Sequence, residues 1–239
     1  MAASSSIEWT DATWNPVTGC TQVSPGCDHC YALTFAERFR NVRGHYFERG
    51  FDLQLRPNML TAPSKWRQPK RIFVNSMSDL FHRDIPDEYI SDVFTQMEQI
   101  DRHIYQVLTK RPERMRRFVK SRYVERSAPA HIWLGVSVEN NDFAWRADML
   151  RSVEAKIKFL SVEPMLGPVD AVSLADVSWV IVGGESGPHH RQMDAMWVRD
   201  VRDRCMAARI PFFFKQWHKS GTGRILDDRT WDQMPLSRR

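Results

Sequence analysis

The sequence has little cysteine, four residues in 239, and no run of about 18 uncharged apolar residues. The first scarcity argues against a disulfide framework as the source of stability, and the second excludes a membrane-spanning helix. There is no tandem repeat and no low-complexity linker, and Met1 to Ile7 has neither the basic start nor the apolar stretch of a secretory signal. The expectation is a cytoplasmic protein with no membrane partner. What is present supports a packed core: 42% of residues are apolar, 11% are aromatic and 26% are charged. The expected organisation is a single domain over residues 1–239, a length that one α/β barrel can use in full.

The formal net charge is only +5, but its distribution is uneven. Lys110, Arg111, Arg114, Arg116, Arg117, Lys120, Arg122 and Arg126 stand against Glu113 and Glu125, a local +6, so the other 222 residues sum to −1. A concentrated basic face attracts phosphates through counterion release, which makes Arg111, Arg114, Arg117 and Lys120 candidate nucleic-acid contacts. A solvated helix face is the competing reading.

Short β-rich runs recur at Arg71–Val74, His103–Leu108, His131–Val136, Ile157–Leu160, Ser178–Val182 and Pro211–Phe214, with a further strand before Cys20. Helical patterns lie between them: 31–41, 87–100, 113–123, 142–153 and 194–208. Tyr89, Ile90, Val93, Phe94, Met97 and Ile100, for example, mark one apolar face. Strands alternating with single helices predict βαβ units and a parallel sheet. Polar residues follow nearly every strand: Asp79, Lys110, Glu139, Glu163, Glu185 and Lys215. In a parallel barrel those ends converge on one face, so the expected fold is α/β, a full or partial (β/α) TIM-like barrel of about six or seven strands. A polar insertion rich in Arg and aromatics spans about 40–70.

Three of the four cysteines fall within eleven residues, Cys20-Thr-Gln-Val-Ser-Pro-Gly-Cys27-Asp-His-Cys30. Three thiolates on one loop can hold three irons of a [4Fe–4S] cluster and leave the fourth open. Zinc is the alternative, although structural zinc usually takes four ligands from paired modules and no second CxxC exists here. His29 or a remote histidine could then be the fourth ligand. Cys205 lies in a helical pattern far away and is expected to be a buried thiol.

This loop, after a first strand and before a helix, resembles the cluster loop of radical S-adenosylmethionine (SAM) enzymes. Their usual spacing is CX3CX2C with an aromatic before the last cysteine, whereas here the first gap is six and that position is His29. A closer resemblance covers nearly the whole chain: the phage Gp37/Gp68-like family, a three-cysteine group of unknown function. It is carried by Trp9-Thr-Asp-Ala-Thr-Trp-Asn-Pro16, Gly19-Cys20 through Cys30-Tyr-Ala32, Asn75-Ser-Met-Ser-Asp-Leu-Phe81, Leu108-Thr-Lys-Arg-Pro112 and Gly135-Val-Ser-Val-Glu-Asn140. It continues with Leu160-Ser-Val-Glu-Pro164, Gly183-Gly-Glu-Ser-Gly187 and Phe214-Lys-Gln-Trp217.

Around the expected mouth, Lys110, Glu163 and Lys215 are candidate catalytic groups, and Asp79, Glu139, Gly183, Gly184, Glu185 and Ser186 are candidate cofactor-binding residues. The glycine pair permits close backbone approach to a ligand. Glu139, Glu163 and Glu185 facing one cavity would repel unless they bound cations, hydroxyls or protons. Trp9, Trp14 and Trp66 could stack on a base, or pack in the core or rim. The radical SAM resemblance implies a [4Fe–4S] cluster, SAM and a reductant such as flavodoxin or ferredoxin; the basic segment adds nucleic acid or a nucleotide as the expected substrate. Two other readings remain: a nucleic-acid-binding module whose cluster or zinc is structural and which acts through a partner, and a metal-dependent hydrolase using the three glutamates.

Overall fold

The computed structural model describes residues 5–186, 189–218 and 223–236. Seven strands form one sheet: β1 (Ala12–Trp14), β2 (Arg71–Val74), β3 (Ile104–Thr109), β4 (Ile132–Ser137), β5 (Lys158–Val162), β6 (Trp179–Gly183) and β7 (Phe212–Gln216). All six pairings are parallel and follow chain order. The sheet is curled, and β1 and β7 remain its two edges, so the barrel is partial. Each expected strand is present, shifted by at most two residues towards its polar end. The reason is physical: Thr109, Ser137, Val162, Gly183 and Gln216 still pair in the ladder although the apolar run has stopped.

Five helices lie in the crossovers: α1 (Tyr31–Glu37), α2 (Asp87–Gln99), α3 (Pro112–Arg122), α4 (Trp145–Arg151) and α5 (Ala195–Ala208). Two are shorter than their sequence patterns. α1 stops at Glu37 because the chain tightens through Phe39 N to Ala36 O and Arg40 N to Glu37 O, then turns at Asn41 with φ 65°. α4 is preceded by a 3-10 turn over Asn141–Phe143, capped by the Asn140 side chain on Asp142 N. The β5-to-β6 crossover, residues 163–178, contains no helix.

The two faces of the sheet bury different cores. Outward positions such as Ile72, Val74, Tyr105, Val107, Leu134, Val136, Leu160, Val180 and Val182 pack under the helices. Inward positions form an aromatic cluster of Trp9, Phe73, Trp133, Phe159, Trp179, Ile181 and Phe213. The ladder sets Leu108 beside Gly135 and Gly135 beside Phe159, and a Cβ on Gly135 would lie 2.5 Å from the Phe159 ring. Trp9 is therefore core, 4.7 Å from Phe73, and Trp14 is core too, its indole donating to Met59 O at 2.7 Å. Trp66 packs at the edge of His103. The base-stacking reading of these three tryptophans gives way to packing.

Gly135→Val should strain this interior layer and cost about 1–3 kcal/mol. Urea unfolding should show the loss as a lowered midpoint at unchanged slope, and an unchanged midpoint would mean that Phe159 has room to move.

Candidate active site at the strand ends

The chain between β1 and β2 carries the cysteine loop over the C-terminal ends of the strands. Gly19, at φ 86°, threads between two backbones: its N–H donates to Met77 O at 2.9 Å, and a Cβ there would lie 2.2 Å from Asp52 O. Cys20 and Cys30 pack on a small cluster of Ala32, Ala36, Phe47 and Phe51. Beyond that cluster the loop is mostly exposed, and polar ties to three strand ends hold it.

The first tie begins at Asp79, after β2. Its carboxylate accepts from Thr109 Oγ1 (2.7 Å), Phe81 N (2.9 Å), Lys110 N (3.0 Å) and Arg111 Nη1 (2.9 Å). Arg111 passes the contact on, donating to Thr21 O at 2.8 Å and lying 3.5 Å from Cys20 Sγ. Thr21 Oγ1 also lies 2.8 Å from Nε2 of buried His82. Burial, reinforced by the Asp79 charge and partly offset by Arg111, pushes the Cys20 thiol up to about 11.

Glu139, after β4, makes the second tie. It has no exposed surface, accepts from Ser24 Oγ at 2.6 Å and Arg146 Nη1 at 2.8 Å, and stands 3.6 Å from Lys110 Nζ. Glu185, after β6, makes the third, with His29 Nδ1 at 2.9 Å and Arg191 N at 2.9 Å. Arg191 reaches across to donate to Pro25 O at 2.7 Å and pairs with Asp28. Burial alone would raise the Glu185 carboxyl, but the Arg191 and His29 hydrogen bonds outweigh it and hold it at about 2.

Beneath the loop is a cavity of about 390 Å³, within the ~300–1,000 Å³ usual for small-ligand sites. Trp9, Phe73 and Leu108 line its apolar part, and Ser137, Ser161, Glu163 and Lys215 are among its polar groups. Glu163 and Lys215 form an ion pair and bond to no part of the cysteine loop. Cys20, Cys27 and Cys30 all line this cavity, while Cys205 is buried in α5, its thiol pushed up to about 12 by burial. Among the described residues no three His, Cys, Asp or Glu side chains are gathered tightly enough to hold a metal ion as they stand. The donor set nonetheless suits an iron–sulfur centre: three soft sulfurs on one loop, all lining one cavity.

The strand-end residues expected from sequence are thus neighbours, but they do not share one task. Lys110, Glu163, Gly184, Glu185, Ser186 and Lys215 line the cavity, as does Asp79. Glu139 is spent beneath the loop, and each glutamate has its own protein cation, so the three do not repel and form no common cation site. A Cβ on Gly183 would meet Lys215 and Glu163 at ordinary contact distances of 3.4 and 3.5 Å, so Gly183 opens no ligand space, whereas a Cβ on Gly184 would lie 1.6 Å from the backbone oxygen of Trp217. Gly184 thus admits a neighbouring strand end rather than a ligand. Gly187, the last residue of that motif, lies outside the described residues. Trp217 turns from the cavity, donating to Ile225 O, and Gln216 stays in it.

The basic segment divides in the same way. Arg111 faces the loop, and Arg114 is mostly buried against His82 O, Ile85 O and Asp87, so neither stands on the outer face expected from sequence. Arg117 and Lys120 are exposed. Sequence reasoning missed Ser24, Arg146 and Arg191 altogether, and weighed His29 only as a metal ligand. His29 did carry a signal, its place inside the CX2C, but no local pattern marks the others.

A partial parallel barrel with a three-cysteine loop across its strand ends is the class of protein that this geometry defines. Among solved structures it is similar to spore photoproduct lyase complexed with dinucleoside spore photoproduct: TM-score 0.51, 12% identity, covering 84% of this chain and 75% of the other. A double mutant of that lyase with bound AdoMet and the same dinucleoside gives TM-score 0.51 and 12% identity, covering 86% and 76%. At such identity the likeness is one of fold, and it agrees with the resemblance to radical SAM enzymes seen in the cysteine loop. No curated protein matches the chain significantly. A family model described as "Protein of unknown function (DUF5131)" matches residues 4–235, and the chain belongs to that family.

Arg146→Met would leave Glu139 buried without its main cation, at an expected cost of about 3 kcal/mol or more. Chemical denaturation should show that loss, and amide exchange should quicken around Ser24. Arg117→Met, on an exposed surface, should stay within about 0.5 kcal/mol of wild type.

Proposed function

We propose that this protein is an iron–sulfur, SAM-binding enzyme of radical type that acts on nucleic acid or a nucleotide. The observation that carries the reading is that three thiols of one loop all line a strand-end cavity, and that the loop is tied down at three points. Cys20, Cys27 and Cys30 would hold a [4Fe–4S] cluster and leave one iron for a non-protein ligand. When loaded and reduced by a flavodoxin or ferredoxin, such a centre supplies reductive cleavage of SAM to a 5′-deoxyadenosyl radical.

The chain's own part is to bind, orient and exclude water. Lys110, Glu163 and Lys215 offer two ammonium groups and a carboxylate to a charged ligand, or to a proton in transit. Asp79, Glu139 and Glu185 act on the centre through the loop they hold, and Ser186 borders the space a cofactor would take, with Gly183 packed behind Glu163 and Lys215. The aromatic interior closes the cavity from below, which keeps water from a reactive intermediate. Support for a nucleic-acid substrate is narrower: the dinucleoside held by the similarly folded lyase.

Anaerobic reconstitution with iron and sulfide should give a brown protein with about four irons per chain, and reduction with SAM present should release 5′-deoxyadenosine. Alanine at Cys20, Cys27 or Cys30 should abolish the visible absorption, and Cys205→Ala should leave it intact. One zinc and no sulfide, or a cluster without SAM cleavage, would favour a binding module with a structural centre.

A further inference from the structure

Four aromatic residues among those described are exposed, and three of them, Tyr31, Phe35 and Tyr46, fall within sixteen residues of chain. Tyr31 lines the cavity, its hydroxyl donating to Ser76 O at 2.6 Å. Phe35 stands one turn along the same face of α1. It meets Phe39 at 5.4 Å and Phe47 at 5.7 Å, and Phe47 meets Tyr46 at 5.0 Å. Arg56 lies 4.1 Å over the Tyr46 ring and steadies it from behind. Buried Phe47 and half-buried Phe39 therefore hold the exposed rings in a row that leads outward from the mouth.

Charge accompanies the rings. Residues 31–56 carry five arginines against Glu37, Glu48 and Asp52. Arg40 pairs with both Glu37 and Asp52, so Arg38, Arg43 and Arg49 stand exposed with no ion-paired carboxylate among the described residues. α3 offers a sparser surface: Arg111 and Arg114 are bound inward, and exposed Arg117 and Lys120 lie five and eight residues, about 8 and 12 Å of helix, beyond Pro112, with no exposed ring among them.

We propose that the face from Tyr31 to Tyr46 binds unpaired nucleotides on the flank of the one that enters the cavity. Exposed rings offer stacking to any base, and flanking arginines offer charge to the phosphates. Paired bases are already stacked on one another, so the face should prefer a single strand to a duplex. A protein partner would also cover an apolar patch, but three exposed arginines outside any ion pair among the described residues suit a polyanion better. This assignment rests on the nucleic-acid reading above and locates its contacts.

Fluorescence anisotropy of the full chain with a labelled single-stranded DNA oligonucleotide, titrated at several salt concentrations, tests it. Phe35→Ala with Tyr46→Ala should weaken binding about tenfold or more without changing the salt slope. Arg38→Glu, Arg43→Glu and Arg49→Glu together should weaken it as much and flatten the slope. All five positions are exposed, and matching melting temperatures would show that the variants remain folded. Arg117→Glu with Lys120→Glu should change affinity by about twofold at most. If that pair weakens binding more than the ring and arginine variants of residues 35–49 do, the surface is wrong and the nucleic-acid reading stands. Wild-type affinity in both the ring and the arginine variants of residues 35–49 overturns the proposal and leaves the patch to a protein partner. Failure of the wild-type chain to bind any strand at low salt overturns both.

Discussion

Ion pairs and hydrogen bonds to three strand-end carboxylates hold the cysteine loop in place. Between Thr21 and His29 no residue is fully buried, so apolar packing cannot position this segment. Polar ties can, because their deep ends are dehydrated: Glu139 has no exposed surface, and Asp79 and Glu185 have 6% and 5%. Burying an ionised carboxylate costs several kcal/mol unless a cation and further donors compensate. Arg146, Arg111 and Arg191 supply the charge, while Ser24, Thr109, Lys110 N and Arg191 N supply donors. The loop's location is thus set by three alternate strand ends of the sheet, after β2, β4 and β6, rather than by its own conformation.

The same pairing leaves the cavity with a definite electrical character. Four acidic side chains reach the strand ends, and a shared cation would be one way to relieve their repulsion. Each has instead acquired its own protein partner, and three of the four are committed to the loop. Only the Glu163–Lys215 pair bonds to no part of the loop, and it faces the cavity. A ligand with opposite charges could replace each partner of that pair without exposing a lone charge, which makes exchange there less costly than at Glu139.

How much of this was legible in the sequence depends on the range of the interaction. The seven strands and five helices were readable because period and turn chemistry are local, and the polar residue beyond each strand marked the functional end. Whether the barrel closed was not readable, since closure requires β1 to meet β7 across nearly the whole chain. The interior aromatics were read only as strand residues, although the two-residue alternation of Phe73, Phe159 and Phe213 against Val74, Leu160 and Phe214 held the information. The three cysteines stood out by spacing. Their anchors did not: Arg146 is 7 residues from Glu139 in sequence and Ser24 is 115, and nothing local connects them. Arg111 and Arg114 were misplaced for a related reason. Charge counting sees a helix face, but the residues at its first turn lie beside the strand ends and find acidic or carbonyl partners there.

Cavity size and the aromatic floor together limit how a large substrate could approach. About 390 Å³ admits a small molecule or one nucleotide-sized group, and the cluster of Trp9, Phe73, Trp133, Phe159, Trp179 and Phe213 blocks passage along the barrel axis. A polymer must therefore remain outside and send in one unit from the strand-end side. That side is bounded by the cysteine loop and by the start of α1, both from the single crossover between β1 and β2. The long insertion belongs to that crossover too, and its backbone is stitched to the loop at Cys20 N to Phe51 O. One stretch of chain thus carries the three thiols and the rim beside them, so a displacement of the insertion would be felt at Cys20 directly, through a hydrogen bond of 3.3 Å.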